Sequence, residues 1–374
     1  MMSKKKVLFV ASVPVHFHAF HRPYMKWFFD NGYEVHAACN GSFEDQNLHK
    51  LWHVDFERSP FSFLHFKSFQ QLKRIIDENN FALITCHTPM ASVITRLAGV
   101  QARQKGTKIL YTAHGFHFFK GASTWSWLTY FPAELMLTKL TDAVICINDE
   151  DFSLISKKGC KSTSYYKIPG IGVSSERFRP ISKIEKMTLR KSLGFSKNDF
   201  IMIYAAEFIN RKNHKLIIDA IHKLSNRIKN FKVLFAGRGV LLEKIKNYAF
   251  EKGVSEQVEF LGFVTDIEKY YQISDIALSS SKQEGLGINL VEAMMCGLPV
   301  VATIDRGHCT IIDHKVNGIL YPQNDFEKLS EAILEIYSNN NFYIKLSNEA
   351  LNKASYFDIK NSLEQMSKIY RTYL

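Results

Sequence analysis

The chain has 374 residues, which is too many for one compact core and suits two domains of ordinary size. Apolar residue types make up 46% of the sequence and charged types 22%, close to the globular average, so a disordered chain, a collagen-like repeat and a coiled coil are excluded. The 48 Lys and Arg residues outnumber the 36 Asp and Glu residues and give a net charge of +12. This excess favours a polyanionic neighbour such as a phosphorylated ligand, an anionic membrane or nucleic acid.

The cysteines and the N-terminus indicate a cytoplasmic protein. Six cysteines are scattered without a CxxC pair, and several lie in apolar, strand-like runs where a thiol behaves as a small hydrophobic group. The opening MMSKKKVLFVASV places basic residues before an apolar run, but the run is short and is interpreted as a first strand rather than a signal peptide. No stretch reaches the ~18 to 20 nearly continuous apolar residues that a membrane-spanning helix needs.

Short apolar runs alternate with amphipathic segments through the first half of the chain. The runs are KKVLFVASV, YEVHAAC, FALITCH, KILYTAHG and DAVICIN, with HRPYMKWFFDNG as the first intervening helix. Such alternation predicts βαβ units and a parallel sheet. Because the runs are continuously apolar, we expect strands that helices cover on both faces, which is a doubly wound α/β sheet.

The alternation restarts after KIPGIGVSSERFRP, a stretch rich in Gly, Pro and polar residues that is the predicted linker. The second set of strands is DFIMIYAAEF, FKVLFAGRG, VEFLGFV, DIALSSS and LPVVATID, and residues 341–374 are helical by pattern. Each half is therefore predicted to hold its own sheet of about five or more strands. Ligands are expected where the carboxyl edges of the two sheets face one another.

The segment SSSKQEGLGINLVEAMMCGLPVVATIDRG predicts an anion site. Gly285 and Gly287 lie between a strand that ends near Ser281 and a helix that begins near Ile288, so backbone N–H groups can approach a ligand closely. Two carboxylates, Glu284 and Glu292, frame this loop. Since an acid beside a phosphate would repel it, each is expected to accept hydrogen bonds from sugar or ribose hydroxyls.

The spacing E-x7-E in EGLGINLVE, followed by EAMMCGLPVVAT and NGILYPQND, resembles the donor-site signature of the family 4 retaining glycosyltransferases with the GT-B fold. The resemblance covers nearly the whole chain. IPGIGVSSERFRP is similar to the family's interdomain linker, AEFINRKNH to its phosphate-binding segment and FAGRG to its second Gly-rich strand end. YTAHGFHFFKG is similar to a segment of the capsular and exopolysaccharide branch.

The resemblance implies an architecture of two Rossmann-like, doubly wound parallel-sheet domains that face an interdomain cleft. Residues 1–172 would bind the acceptor and residues 173–355 the nucleotide sugar. A C-terminal helix, residues 356–374, would pack back on the first domain.

Site residues follow from the same resemblance. Glu292 would hold ribose hydroxyls, Lys212 would neutralise the diphosphate, and Glu284 and His114 would position the donor sugar as the residues closest to the chemistry. The full set of implied donor-binding residues is Lys212, Arg211, Gly285, Leu286, Gly287, Ile288, Glu292, Gly237 and Arg238. For His114, a satisfied core histidine is the alternative.

The chain departs from the family pattern at two places. A G-R dipeptide normally precedes the lysine and its arginine binds the diphosphate, but Ala206-Glu207 stands here. Arg211 or Arg238 would supply the second cation, and Arg211 is favoured. The usual first-loop pair of glycines is also absent.

SVPVHFHAFHRP replaces those glycines, so His16, His18 and His21 are interpreted as acceptor contacts, with packing at a helix start as the alternative. Arg306 is interpreted as a donor or acceptor contact, with a turn residue as the alternative. His16, His18 and His21 also resemble a metal cluster. Zinc sites usually add a carboxylate or cysteine with defined supporting partners, and none lies nearby in sequence, so no metal and no cofactor are expected.

An aromatic-rich stretch lies in the later part of the predicted first domain. It contains Trp125, Trp127, Tyr130, Phe131, Leu135 and Leu137 between Lys120 and Lys139. Trp and Tyr beside lysines suit a membrane interface, but such stretches are equally common in cores, and the sequence leaves both open. With the net charge, the first alternative predicts peripheral binding to the anionic inner face of the plasma membrane.

Together these features predict a retaining glycosyltransferase that moves a sugar from a nucleotide diphosphate donor, most consistent with UDP, to a lipid-linked saccharide of a bacterial surface polysaccharide. The resemblance implies front-face substitution, in which the leaving phosphate helps deprotonate the acceptor. The alternatives are a nucleotide-sugar epimerase of the same architecture, an inactive scaffold suggested by the missing arginine, and a basic nucleic-acid-binding protein. No nucleic-acid-binding signature is present, and the basic residues are spread rather than striped.

Overall fold

The computed structural model describes residues 4–57 and 62–374, and the chain divides into two compact units. One unit comprises the described residues up to Gly172 together with Ile359–Leu374, and the other is Val173–Asp358. The first boundary lies inside the predicted Gly- and Pro-rich linker. The second lies three residues beyond the predicted boundary at residue 355.

The first unit is built on a seven-stranded parallel sheet of order β3-β2-β1-β4-β5-β6-β7. Its strands are β1 Lys6–Val10, β2 Glu34–Cys39, β3 Lys50–His53, β4 Leu83–Cys86, β5 Lys108–Ala113, β6 Ala143–Cys146 and β7 Ser164–Lys167. Its helices are α1 Pro14–His16, a π-helical turn Phe17–His21, α2 Arg22–Asp30, α3 Leu64–Asn79, α4 Pro89–Ala98, α5 Val100–Gln104, α6 Thr124–Thr138 and α7 Asp149–Lys158.

The second unit is built on a six-stranded parallel sheet of order β10-β9-β8-β11-β12-β13. Its strands are β8 Phe200–Ala205, β9 Phe231–Ala236, β10 Val258–Gly262, β11 Ile276–Ser279, β12 Val300–Thr303 and β13 Gly318–Tyr321. Its helices are α8 Lys183–Ser192, α9 His214–Leu224, α10 Leu242–Glu251, α11 Ile267–Ile273, α12 Ile288–Met295, α13 Arg306–Ile311, α14 Phe326–Ser338 and α15 Asn340–Ser355, with 3-10 turns at Asn210–Lys212 and Ser255–Gln257. The last helix, α16 Ile359–Tyr373, belongs to the first unit.

Both sheets are doubly wound, as the apolar runs predicted. The central strands β1, β4, β8 and β11 are almost entirely buried, because helices cover both faces. The strand order reverses between β1 and β4 in the first sheet and between β8 and β11 in the second. Ligands of open α/β sheets bind beyond the carboxyl ends of the strands at such switch points. We therefore expect the binding sites at the loops that follow these four strands.

Three strands, β3, β7 and β13, are not among the predicted apolar runs. All three are edge strands of only four residues, and the sequences KLWH and SYYK end in exposed, polar residues. Edge strands are often short and polar, and this weakens the apolar signal of β3 and β7. The sequence of β13, GILY, is apolar and mostly buried, but it has only four residues.

Helix α16 completes the core of the first unit. The buried Tyr370 ring lies 4.6 Å from the Phe28 ring, centroid to centroid, and the Trp27 ring lies 5.8 Å from Tyr370. These contacts join α16 to α2, so the chain returns to its first unit after building the second.

Helix α6 divides the aromatic stretch between packed and exposed positions. Trp127, Tyr130, Phe131 and Leu135 pack against the core of the first unit. The other face carries Trp125, Leu128 and Met136, which are 64%, 69% and 69% exposed and lie within about 80° of one another around the helix. Across the described ranges, no helix combines the length and apolar character that crossing a bilayer requires.

Candidate functional site

Lys212 lies at the end of a 3-10 turn that follows β8, and neighbouring loops fix its backbone. The Tyr204 hydroxyl and the Ser280 hydroxyl each donate to the Lys212 carbonyl oxygen at 2.9 Å. Ser280 follows β11, the strand beside β8 in the sheet. The lysine is therefore held at the switch point of the second sheet.

Asp305 anchors the loop that joins β11 to α12. Its Oδ1 accepts hydrogen bonds from the backbone N–H groups of Glu284, at 3.0 Å, and Gly307, at 2.9 Å. Arg306 is buried and its Nε donates to the Glu284 carbonyl oxygen at 3.3 Å. The DRG segment after β12 thus fixes the position of Glu284, and Arg306 contributes to that support.

Gly287 immediately precedes α12 and has a φ of +89°, a conformation that glycine adopts without steric cost. A Cβ atom there would lie 3.0 Å from Cδ2 of His308. The preceding Leu286 is buried, and the helix begins at Ile288 as the sequence predicted. The backbone N–H groups of the first turn therefore form the electropositive end of a helix at the same switch point.

Two cations engage the Glu284 carboxylate. Lys212 Nζ donates a hydrogen bond to Oε1, and Arg211 Nη1 lies 3.6 Å from Oε2. Burial acts to raise the pKa of Glu284, but the nearby positive charge, chiefly that of Lys212, outweighs it and leaves the pKa below its ordinary value. Glu284 is thus an ionised carboxylate held by cations.

Glu292 lies one turn into α12 and has a different environment. The buried Tyr271 hydroxyl donates to Glu292 Oε2 at 3.2 Å. Burial raises the pKa of Glu292 to about 7, because little nearby positive charge compensates for the lost hydration. The two predicted carboxylates therefore differ, since the pKa of Glu284 lies below its ordinary value and the pKa of Glu292 is raised to about 7.

Gly237 and Arg238 follow β9 and lie on the next strand end along the sheet. Gly237 packs directly on the backbone after β8, where an added Cβ would come 2.0 Å from the Ala206 carbonyl oxygen. Arg238 is exposed, and its guanidinium lies 5.1 Å from the centre of the Phe263 ring. Of the two predicted second cations, Arg211 is therefore the one that shares Glu284 with Lys212.

His308 was not identified from the sequence. It is buried, and its Nδ1–H donates to the Thr303 carbonyl oxygen at 2.8 Å, while its Nε2 has no hydrogen-bond partner among the described residues. Burial lowers its pKa, which favours the neutral ring. A histidine three residues after Asp305, in the same turn that supports Glu284, is the sequence signal that could have located it.

The remaining predicted residues belong to the first unit. His16 and His21 flank the π-helical turn after β1, and His114 follows β5; the ring of His114 lies 4.7 Å from that of His16. His18 is exposed and packs its ring against Phe43 instead. The structure therefore groups His16, His21 and His114 and separates His18 from them.

Two parallel-sheet α/β units with a cationic, glycine-containing loop at the switch point of the second are the arrangement that the resemblance to GT-B glycosyltransferases implied. Residues 185–353 match the family described as Glycosyl transferases group 1, and residues 6–148 match the family described as Glycosyl transferase 4-like. The chain is 41% identical over 372 residues to the putative glycosyltransferase EpsD of Bacillus subtilis strain 168, covering 99% of this chain and 97% of that protein. The chain belongs to this glycosyltransferase family.

Further relatives agree with this assignment. The chain is 24% identical over 309 residues, 81% of its length and 79% of the relative, to the Escherichia coli UDP-Gal:alpha-D-GlcNAc-diphosphoundecaprenol alpha-1,3-galactosyltransferase. The structure of Anabaena HepE in complex with UDP and glucose matches with a TM-score of 0.80 at 19% identity, over 98% of this chain and 100% of that chain. WaaG, a glycosyltransferase involved in lipopolysaccharide biosynthesis, matches with a TM-score of 0.77 at 16% identity, over 97% and 99%. These likenesses show the GT-B fold.

The ion pair of Lys212 should stabilise the second unit. Lys212→Met leaves the Glu284 carboxylate buried with only Arg211 nearby, so we expect the free energy of unfolding to fall by about 3 kcal/mol at pH 7. The loss should shrink at pH 5, because Glu284 can then take up a proton instead of remaining charged. Urea unfolding at both pH values measures this difference. Lys212→Arg is the control, and an equal loss at both pH values would contradict the role of the charge.

Glu292 should make the free energy of unfolding depend on pH in the sense opposite to that of Glu284. Between its ordinary pKa of 4.5 and its raised pKa of about 7, the folded chain holds a proton that the unfolded chain has released. Stability therefore falls as the pH rises through this window. Glu292→Gln removes the titration, so we expect it to be more stable than the wild type at pH 8, by up to about 3 kcal/mol, and equally stable at pH 4. Thermal unfolding across this range checks the sign.

Proposed function

We propose that the protein is a retaining transferase that moves a hexose or N-acetylhexosamine from a UDP-linked donor to a lipid-linked saccharide during bacterial surface polysaccharide synthesis. One observation carries this proposal: Lys212, Arg211, the N-terminus of α12 and two dissimilar carboxylates converge on the switch point of the second sheet. The names of two relatives support it, since one is a glycosyltransferase that uses UDP-galactose and a diphosphoundecaprenol saccharide, and one was solved with UDP and glucose.

The cations and the helix N-terminus are assigned to the diphosphate. Negative charge develops on the leaving diphosphate in the transition state, so donors and cations that are already in place lower the barrier directly. Lys212 is paired with Glu284 before the donor arrives, and a diphosphate would compete for the same ammonium group. Charge neutralisation at this position then needs no metal ion.

The two carboxylates are assigned to hydroxyl groups at opposite ends of the donor. Glu292 would accept hydrogen bonds from the ribose, with Tyr271 fixing its second oxygen. Glu284 would accept them from the transferred sugar, because its charge is retained by Lys212 and Arg211. A carboxylate held in this way suits recognition better than attack on the anomeric carbon, which supports front-face substitution over a double displacement.

The first unit is assigned to the acceptor and to the membrane that carries it. His114, with His16 and His21, occupies the carboxyl edge of the first sheet, where ligands of such sheets bind. The exposed face of α6 supplies Trp125, Leu128 and Met136, and Lys120 and Lys139 flank the helix. Apolar side chains with nearby lysines suit an anionic bilayer surface, which would bring the enzyme to a lipid-linked acceptor.

Deleting the Glu292 carboxylate should weaken donor binding. We expect Glu292→Ala to lose ~1 to 3 kcal/mol of UDP affinity, about five- to 150-fold in Kd, because a charged hydrogen-bond partner is removed. The affinity of the wild type should also rise as the pH increases through about 7, where Glu292 becomes ionised. Calorimetric titration with UDP measures both effects.

Glu331→Ala, which truncates an exposed acid on α14, is the matched control and should bind UDP as the wild type does. Unchanged binding in Glu292→Ala would remove this carboxylate from the donor site. A panel of UDP-sugars with and without a lipid-linked saccharide then tests transfer itself. A donor that is altered without any acceptor would identify an epimerase instead.

The exposed face of α6 should bind anionic vesicles. We expect the double variant Trp125→Ser, Leu128→Ser to lose about tenfold in affinity for phosphatidylglycerol vesicles, since two apolar side chains no longer insert. Ile184→Ser, Met187→Ser removes an equally spaced, exposed apolar pair from α8 and is the control. Vesicle sedimentation reports the bound fraction, and equal binding of the two double variants would contradict the assignment.

A further inference from the structure

Four histidines lie together at the carboxyl edge of the first sheet. His16 and His21 come from the segment after β1, His87 follows β4 and His114 follows β5, and these three strands are neighbours in the order β1-β4-β5. The switch point of this sheet lies between β1 and β4, where open α/β sheets bind their ligands. The cluster therefore occupies the ligand-binding edge of its unit.

A π-helical turn creates the first pair. In an α-helix, residues five apart point about 140° away from each other, but the wider π-helical turn brings positions i and i+5 together. Residues Phe17–His21 adopt this turn, and His16 Nδ1 lies 3.0 Å from His21 Nε2. Such turns occur frequently at functional sites.

The ring nitrogens of the cluster converge. One nitrogen from each of His16, His21 and His114 lies within 4.8 Å of the other two. Two imidazole nitrogens on a tetrahedral zinc ion are roughly 3.3 Å apart, so side-chain rotations that move these atoms by about 1 Å would complete a three-histidine site. His87 supports the arrangement, because its ring lies against that of His21 at 3.7 Å between centroids, with the two ring planes tilted by 33°.

The cluster has unused hydrogen-bonding capacity. His114 Nε2 and His87 Nδ1 are buried and have no hydrogen-bond partner within the part of the chain that the structure describes. Burial lowers the pKa of His16 to about 4 and lowers the pKa values of His21, His87 and His114 as well. Neutral imidazoles are the form that binds metals, since each has a free lone pair.

We propose that His16, His21 and His114 bind one divalent transition metal ion, with His87 as a positioning residue behind His21. A set of imidazole ligands suits zinc, and three protein ligands leave one coordination position for a water or hydroxyl oxygen. Metal binding replaces the hydrogen bond between His16 and His21, and the proton in that bond moves to the other nitrogen of its own ring, so both rings stay neutral. This site replaces the expectation, drawn from sequence spacing, that these histidines hold no metal, and it does not depend on the proposed transfer reaction.

Metal uptake by the full chain, purified without a histidine tag and stripped with a chelator, tests the site. We expect one Zn²⁺ per chain by calorimetry, and a tetrahedral absorption spectrum with Co²⁺ as the probe. His16→Gln and His114→Gln should each lower the Zn²⁺ affinity at least tenfold. His18→Gln, in the same segment but outside the cluster, should bind Zn²⁺ as the wild type does.

Failure of the wild type to take up one equivalent would overturn the proposal, and so would equal affinities in His16→Gln, His114→Gln and His18→Gln. Thermal unfolding of the metal-free variants shows whether each is folded, and a wild-type titration at falling pH gives a second measurement that needs no variant. Binding should weaken with acid as protons displace the metal, and pH-independent binding would contradict histidine ligation. UDP titration of the same metal-free protein reports on the donor site separately.

Discussion

The contact between Lys212 and Glu284 defines the second unit's site, because it joins the loops after the two central strands. Lys212 follows β8, Glu284 follows β11, and Asp305 after β12 holds the backbone of Glu284 in turn. Three neighbouring strand ends are thereby fixed around one buried ion pair. A buried pair of this kind is costly to break but adds little net stability over an apolar pair, which fits the proposal that it holds two charges in place for a ligand.

The carboxyl groups of Glu284, in a loop, and Glu292, in the helix that follows it, differ in ionisation because their surroundings differ. Glu284 is surrounded by cations and stays charged, whereas Glu292 has a tyrosine hydroxyl and burial around it and is half-protonated near neutral pH. Ionising Glu292 in the free protein costs stability, and hydrogen bonds from a bound diol would offset that cost. Glu292 is therefore costly to ionise at the position where we propose that it binds the donor, and perturbed carboxyl groups of this kind are common at functional sites.

The sequence predicted the central strands, both doubly wound sheets and the start of α12, because each rests on continuous apolar runs or on glycine at a strand-to-helix turn. It did not predict β3 and β7, since short edge strands with polar ends carry no such signal, and it missed β13, whose apolar run GILY has only four residues. The pairing of Glu284 with Lys212, and the proximity of His308 to Gly287, depend on contacts between loops far apart in the chain. Spacing in one segment cannot show them.

The same reason explains why the sequence could not separate His18 from His16 and His21. His16, His18 and His21 look alike in sequence, yet the π-helical turn places two of them beside His114 and turns the third towards Phe43. The second unit has the cations Lys212 and Arg211 at its site, whereas burial lowers the pKa values of His16, His21, His87 and His114 and disfavours their protonation. Protonation of these four rings is therefore disfavoured near neutral pH. The metal ion proposed at His16, His21 and His114 would supply positive charge at this edge without protonation of the rings.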